Sequence, residues 1–235
     1  MLRLFRYFAL GGALGLAICA TQASAADNRI GGVSQKDYKG ATGASSGGAA
    51  SALYFANDVY SGETVTTPDA GSTELTFHDT TKLSVGANST VVLDNFVYNP
   101  DSGTGDASIN FTKGIFRFVT GDIKNKDNVK LTTPTTSLTI RGTDFKVVVN
   151  QDGTTIQVIS GAVEIKPCGG TAETRLVTPG EAAIVRPNCG VSSVTISSVP
   201  TDPATDGGGD NGGGNPPGHD PHQGPSRGGD GGNGG

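Results

Sequence analysis

Between residues 53 and 187 apolar side chains recur at every second position in short runs separated by turn residues. Thr73, Leu75 and Phe77 fall on one face of a strand, with Glu74, Thr76 and His78 on the other. Leu83 and Val85 follow, then a turn at Gly86-Ala87-Asn88, then Val91 and Leu93, and the style continues through Phe111, Ile115–Val119 and Leu138–Ile140. Strands at about 8–12-residue spacing with turn signals between them are the mark of an all-β sandwich, barrel or roll. No stretch of this core carries an amphipathic helical period. Two slips of phase refine the expectation. Apolar positions are even up to Ile140 and odd from Phe145, and Ile156 and Val158 give way to Val163 and Ile165. A one-residue slip turns a strand inside out, so the chain must bulge, and glycine stands at each slip, Gly142 and Gly161. Such strands suit a sheet that turns a corner, which favours a two-layer β-sandwich or β-roll of short strands over a closed barrel.

The two ends read differently from this core. Residues 1–25 carry Arg3 and Arg6, an apolar run over 7–20 and a small-residue close at Ala23-Ser24-Ala25, the pattern of a cleavable export signal cut between Ala25 and Ala26. The apolar run is shorter than the ~20 residues a spanning helix needs, so no integral membrane segment is expected after processing. Cys19 lies in a lipid-box-like run, but Ile18 before it does not fit one. Residues 26–52 are rich in Gly, Ala and Ser and read as a lead-in or a loosely packed first strand, ahead of a β domain over 53–199. Residues 200–235 are Gly-, Asp- and Pro-rich. They contain too little apolar area to offset the entropy of ordering, so a disordered tail is expected.

An exported chain meets an oxidising compartment, and two cysteines remain, Cys168 and Cys189. Each follows a short strand-like run. With no CxxC spacing and no histidine nearby, a structural disulfide is the expectation rather than a metal or redox pair. The net charge of −5 implies no basic face, so nucleic acid is not an expected partner.

Candidate chemistry is sparse. No HExxH, P-loop or strand-following GxGxxG occurs. His78 precedes Asp79 near a strand end, where an exposed imidazole is commonplace. His219 and His222 lie in the tail without a preformed cage. No catalytic residue, metal site or cofactor is expected.

The most specific stretch is Thr132-Thr133-Pro134 through Ile140-Arg141-Gly142-Thr143-Asp144-Phe145. It resembles the FecR domain family, in which a TP…(I/V)RGTxF stretch is the hallmark. The resemblance runs from about 53 to 187. Asp58 and Val65-Thr66-Thr67 are similar to the family's first strands, and Leu75–Leu83 to its l.F.DGt.L run, with Thr80 where glycine is usual. Gly114–Gly121 resembles a G.fRfvtG segment, and Asp152-Gly153-Thr154, Ser160–Val163 and Pro179-Gly180-Glu181 its later positions. The family's regulator type also has a cytoplasmic sigma-factor-binding domain and a membrane helix, in place of which a cleavable signal is the expectation here.

The resemblance implies a periplasmic or secreted β domain of a Gram-negative envelope that makes contacts rather than covalent chemistry, with an envelope or surface protein as partner. Two alternatives are a secreted structural or adhesion component with a cation-responsive tail, and a binder of a glycan or chelate in a groove. Arg141, Gly142 and Thr143 are the candidate binding residues. The expectation for Arg141 is a structural role, bridging across the bulge, so that its loss costs folding before binding.

Overall fold

The computed structural model describes residues 28–169 and 173–195. The expected signal with its Ala25/Ala26 cleavage point and the expected tail over 200–235 lie outside the described residues. Fifteen strands form one continuous hydrogen-bonded sheet among the described residues. They are β1 (Arg29–Val33), β2 (Thr42–Ala44), β3 (Ser51–Ala52), β4 (Asp58–Tyr60), β5 (Glu63–Thr66), β6 (Thr73–Phe77), β7 (Lys82–Val85) and β8 (Thr90–Asn99). The second half of the chain supplies β9 (Thr104–Val119), β10 (Val129–Thr132), β11 (Thr136–Asn150), β12 (Gly153–Pro167), β13 (Arg175–Val177), β14 (Glu181–Val185) and β15 (Val191–Thr195).

Three long strands organise the rest. β9, β11 and β12 each change hydrogen-bonding partners part-way along. Residues 104–113 of β9 pair with β8, whereas 116–119 pair with β7. Residues 137–139 of β11 pair with β10, whereas 144–149 pair with β9. β12 runs beside β11 throughout, but 154–157 pair with β14 and 163–165 with β13. The sheet therefore folds over into two layers that share these strands. The first runs β3-β2-β5-β8-β9-β10-β11-β12-β13 and the second β4-β1-β6-β7-β9-β11-β12-β14-β15. β9 and β11 are neighbours in the second layer and part in the first to admit β10, which lies parallel to β9.

A glycine with positive φ stands where each long strand turns: Gly114 at 113°, Gly142 at 62° and Gly161 at 78°. The slips of phase are visible in burial. Leu138 and Ile140 face inward before the bend in β11, and Phe145, Val147 and Val149 after it. Ile156 and Val158 hand over to Val163 and Ile165 in β12. The two glycines lie against each other. A Cβ on Gly161 would meet the Gly142 carbonyl, whereas one on Gly142 would meet nothing. Both strands must bend at the same level, because a bulge in one alone would break the ladder between them.

The layers pack on a shared apolar core, with Phe77 of β6 stacked on Phe96 of β8 at 5.0 Å and Phe111 against Phe116 at 4.8 Å across the bend of β9. Residues 29–52, read from composition as a lead-in, supply β1, β2 and β3 to the two layers, with Ile30, Val33 and Ala41 buried. Their small side chains hide the alternation because close backbone approach, as of Gly31 to Thr76, replaces large apolar residues.

Cys168 and Cys189 are bonded, with Cα atoms 5.2 Å apart. Because β12 has crossed the bend before it reaches Cys168, the bridge joins the first layer to the β14–β15 turn of the second. Closing a loop of 21 residues stabilises by about 3 kcal/mol in the chain-entropy model.

The glycine pair yields a graded expectation. Gly142→Ala meets open space and should cost about 1–2 kcal/mol, the penalty of a left-handed conformation. Gly161→Ala adds the clash with the Gly142 carbonyl and should cost clearly more. Urea denaturation of the two variants checks the order, and equal losses would contradict the stacked bend.

Candidate functional site

The Arg141-Gly142-Thr143 triplet lies at the bend of β11, and its three members do different things. Thr143 is buried and is the lock. Its hydroxyl donates to the Ala162 carbonyl at 2.9 Å and accepts from the Arg141 N–H at 3.1 Å. Its own N–H donates to Thr120 Oγ1 at 2.9 Å, and its carbonyl accepts from the Thr120 N–H and hydroxyl. One side chain thus satisfies backbone groups that the bulge removes from the regular ladder. Arg141 points outward: its side chain is 64% exposed and pairs with Glu164 at 3.2 Å. An ion pair that open to water contributes little. Arg141 does bridge across the bulge to Glu164, while the buried hydrogen bonds at the bulge are made by Thr143.

Two further features of this corner carried no assigned role in the sequence reading. Arg117 on β9 forms a two-pronged pair with Asp144, Nε to Oδ1 at 3.0 Å and a terminal nitrogen to Oδ2 at 2.8 Å, fixing the register of β9 on β11 just past the bend. The threonines before the bend close the β10–β11 turn. Thr133 and Thr135 reach the buried Thr154 of β12 at 2.9 and 2.8 Å, and the Cys168 N–H donates to the Thr135 carbonyl. This ties the hairpin to the second layer beside the disulfide.

His78 is exposed, and the Asp79 carboxylate is turned away from solvent to accept the Thr81 N–H and hydroxyl at 2.9 and 2.7 Å. Asp79 is a turn residue, not the partner of a general base. Lys126 donates to the Gly121 carbonyl at 2.6 Å, and burial lowers its pKa despite the nearby Asp79 and Asp122. Among the described residues no three His, Cys, Asp or Glu side chains are placed to hold a metal ion, and no helix is long and apolar enough to cross a membrane.

With the bend, its RGT lock and the preceding threonine turn in place, the chain can be compared with known proteins. Residues 63–164 match the FecR protein family. This segment is a FecR domain. It spans β5 through most of β12 and so includes the RGT corner. No curated protein matches the chain. Two crystal structures of a Parabacteroides distasonis protein, described as a candidate anti-sigma factor, resemble the fold at 15% identity with TM-scores of 0.45 and 0.43. Each match covers 56% of this chain and 59% of that protein.

Outside the FecR match lies an exposed aromatic group. Tyr38 and Tyr54 pack at 4.5 Å with their rings tilted, Phe55 is 53% exposed, and Tyr60 is exposed beside them. These residues belong to the end of the sandwich where β3 closes the first layer and β4 the second. Glu63 is buried at this end, on the inward face of β5 with Val65, and accepts the Tyr60 N–H at 2.8 Å.

The corner and the open end give separate expectations. Thr143→Val, which leaves buried backbone groups unpaired, should cost about 1–3 kcal/mol, whereas Arg141→Ala should cost less than about 1 kcal/mol. Chemical denaturation of both variants measures the difference, and the reverse order would contradict the assignment. At the open end, burial raises the Glu63 pKa above its ordinary 4.5, so the folded state favours the neutral acid. Its contribution to stability is fullest below about pH 4.5 and declines as pH rises through the folded-state value. Glu63→Gln, which stays neutral, should therefore gain on the wild-type protein between about pH 4 and pH 7. A constant stability difference across that range would contradict it.

Proposed function

We propose that this protein is an exported, non-enzymatic FecR-type interaction module of a Gram-negative envelope, and that it docks a protein partner through the open end of its sandwich. The observation that carries the reading is the distribution of exposed aromatics. Tyr38, Tyr54, Phe55 and Tyr60 are the exposed large aromatic side chains among the described residues, and all lie at that one end. Exposed aromatic clusters are a signature of protein interfaces, since large rigid rings supply contact area at small entropic cost. The family hallmark supports the same division. Thr143, Arg117 and Asp144 are engaged in holding the corner, which leaves the RGT motif as architecture and the interaction surface elsewhere.

Export is supported by the signal-like first 25 residues and by the disulfide, which suits an oxidising compartment. A rigid frame with two terminal strands, β3 and β4, also offers edges along which an extended segment of a partner can lie.

In-cell photo-crosslinking tests the reading. A benzophenone side chain at Phe55 should give one dominant adduct with another envelope protein, and the same group at exposed Val97 on β8 should give none. A ladder of self-adducts from position 55 would overturn the reading in favour of a surface structural component.

A further inference from the structure

At the open end the two layers part around a cleft of about 470 Å³, lined by Gly43 of β2, Asp58 and Tyr60 of β4, Glu63 of β5, Leu53, Asn57 and several serines and alanines between 45 and 56. Glu63 is 6% exposed. Its Oε2 accepts the Tyr60 N–H, while Oε1 accepts no hydrogen bond among the described residues. That oxygen lies over Gly43, in the space a Cβ would fill. Lys, Arg and His are absent from the lining. The second carboxylate, Asp58, is more exposed and pairs with Arg29 at 3.6 Å outside the cleft lining. A carboxylate this buried ordinarily has a cation or several donors beside it. Here one acceptor oxygen faces the open cleft, next to Asp58 with its Arg29 partner and to an aromatic ring.

We propose that this cleft receives the ammonium group of a lysine side chain carried by the protein partner, with Glu63 Oε1 as its acceptor and Tyr60 and Asp58 beside it. The inference rests on the interaction-module reading and names the chemistry of the contact. Three considerations select lysine. A guanidinium is held best by both oxygens of a carboxylate, and Tyr60 already occupies one, which leaves a site for a point charge. A divalent cation would need about six oxygen ligands and favours several carboxylates, whereas among the described residues no third His, Cys, Asp or Glu joins Glu63 and Asp58. The tyrosine ring adds a cation–π surface for an ammonium and little for a neutral group.

The test is a titration of the ¹⁵N-labelled secreted chain with Nα-acetyl-lysine methylamide, followed by NMR, with the Nα,Nε-diacetyl compound as the neutral counterpart. The backbone amides of Gly43, Tyr60 and Glu63 should shift saturably with the charged probe and at least tenfold more weakly with the neutral one. Glu63→Gln, which keeps an acceptor for the Tyr60 N–H, should weaken the charged probe at least tenfold. Equal shifts from both probes, unchanged binding by the variant, no shift up to about 100 mM, or the same shifts from calcium chloride would each overturn the proposal. The two-probe comparison uses the unsubstituted chain and stands even where the variant fails to fold. A Phe55 crosslink that survives while the lysine probe fails separates the loss of this proposal from the loss of the module reading.

Discussion

The fold depends on a bend that three adjacent strands make together. β9, β11 and β12 each run from one layer to the other, and each turns at a glycine whose backbone conformation other residues adopt only at a cost. At the bend the ladder between β11 and β12 is interrupted, with register shifts between Arg141 and Phe145. The groups released there are recovered by Thr143 and Thr120. Everything else is placed by that corner. The β7–β8 connection sits at the Gly114 turn, where buried Ser89 accepts the Ile115 N–H, and the disulfide links layers because β12 has already crossed.

Much of this was legible in the sequence, and the reason is physical. A strand that passes from one layer to another must keep its apolar residues inward on both sides, so its parity changes, and parity can be read from residue types alone. The changes at 140/145 and 158/163, with a glycine at each, marked the bends of β11 and β12. Partner identity leaves no such trace. Nothing in the local pattern announces that β10 inserts between β9 and β11 in one layer only. β1 to β3 were obscured because glycine, alanine and serine carry almost no hydrophobic contrast.

The site residues divide the same way. Arg141 drew attention as the charged member of a motif, although an exposed ion pair with Glu164 is a minor contribution, while the neighbouring threonine secures the bulge. Glu63 went unremarked because a glutamate in a polar strand looks solvated. Yet it shares the parity of Val65, which is fully buried, and that phase is the signal that could have placed it inward. The hallmark thus builds the corner, while the exposed aromatics, outside the FecR match, and the buried acid stand at the far end, where the layers are no longer held by shared strands.

Native-state hydrogen exchange across β9, β11 and β12 tests the central claim, that the two layers are one cooperative unit joined through bent strands. The account predicts that buried amides on both sides of Gly114, Gly142 and Gly161 exchange with a common free energy, equal to that of global unfolding. Distinct protection for the β8 side and the β7 side of the bends would contradict it, because each layer would then open as a sheet of its own.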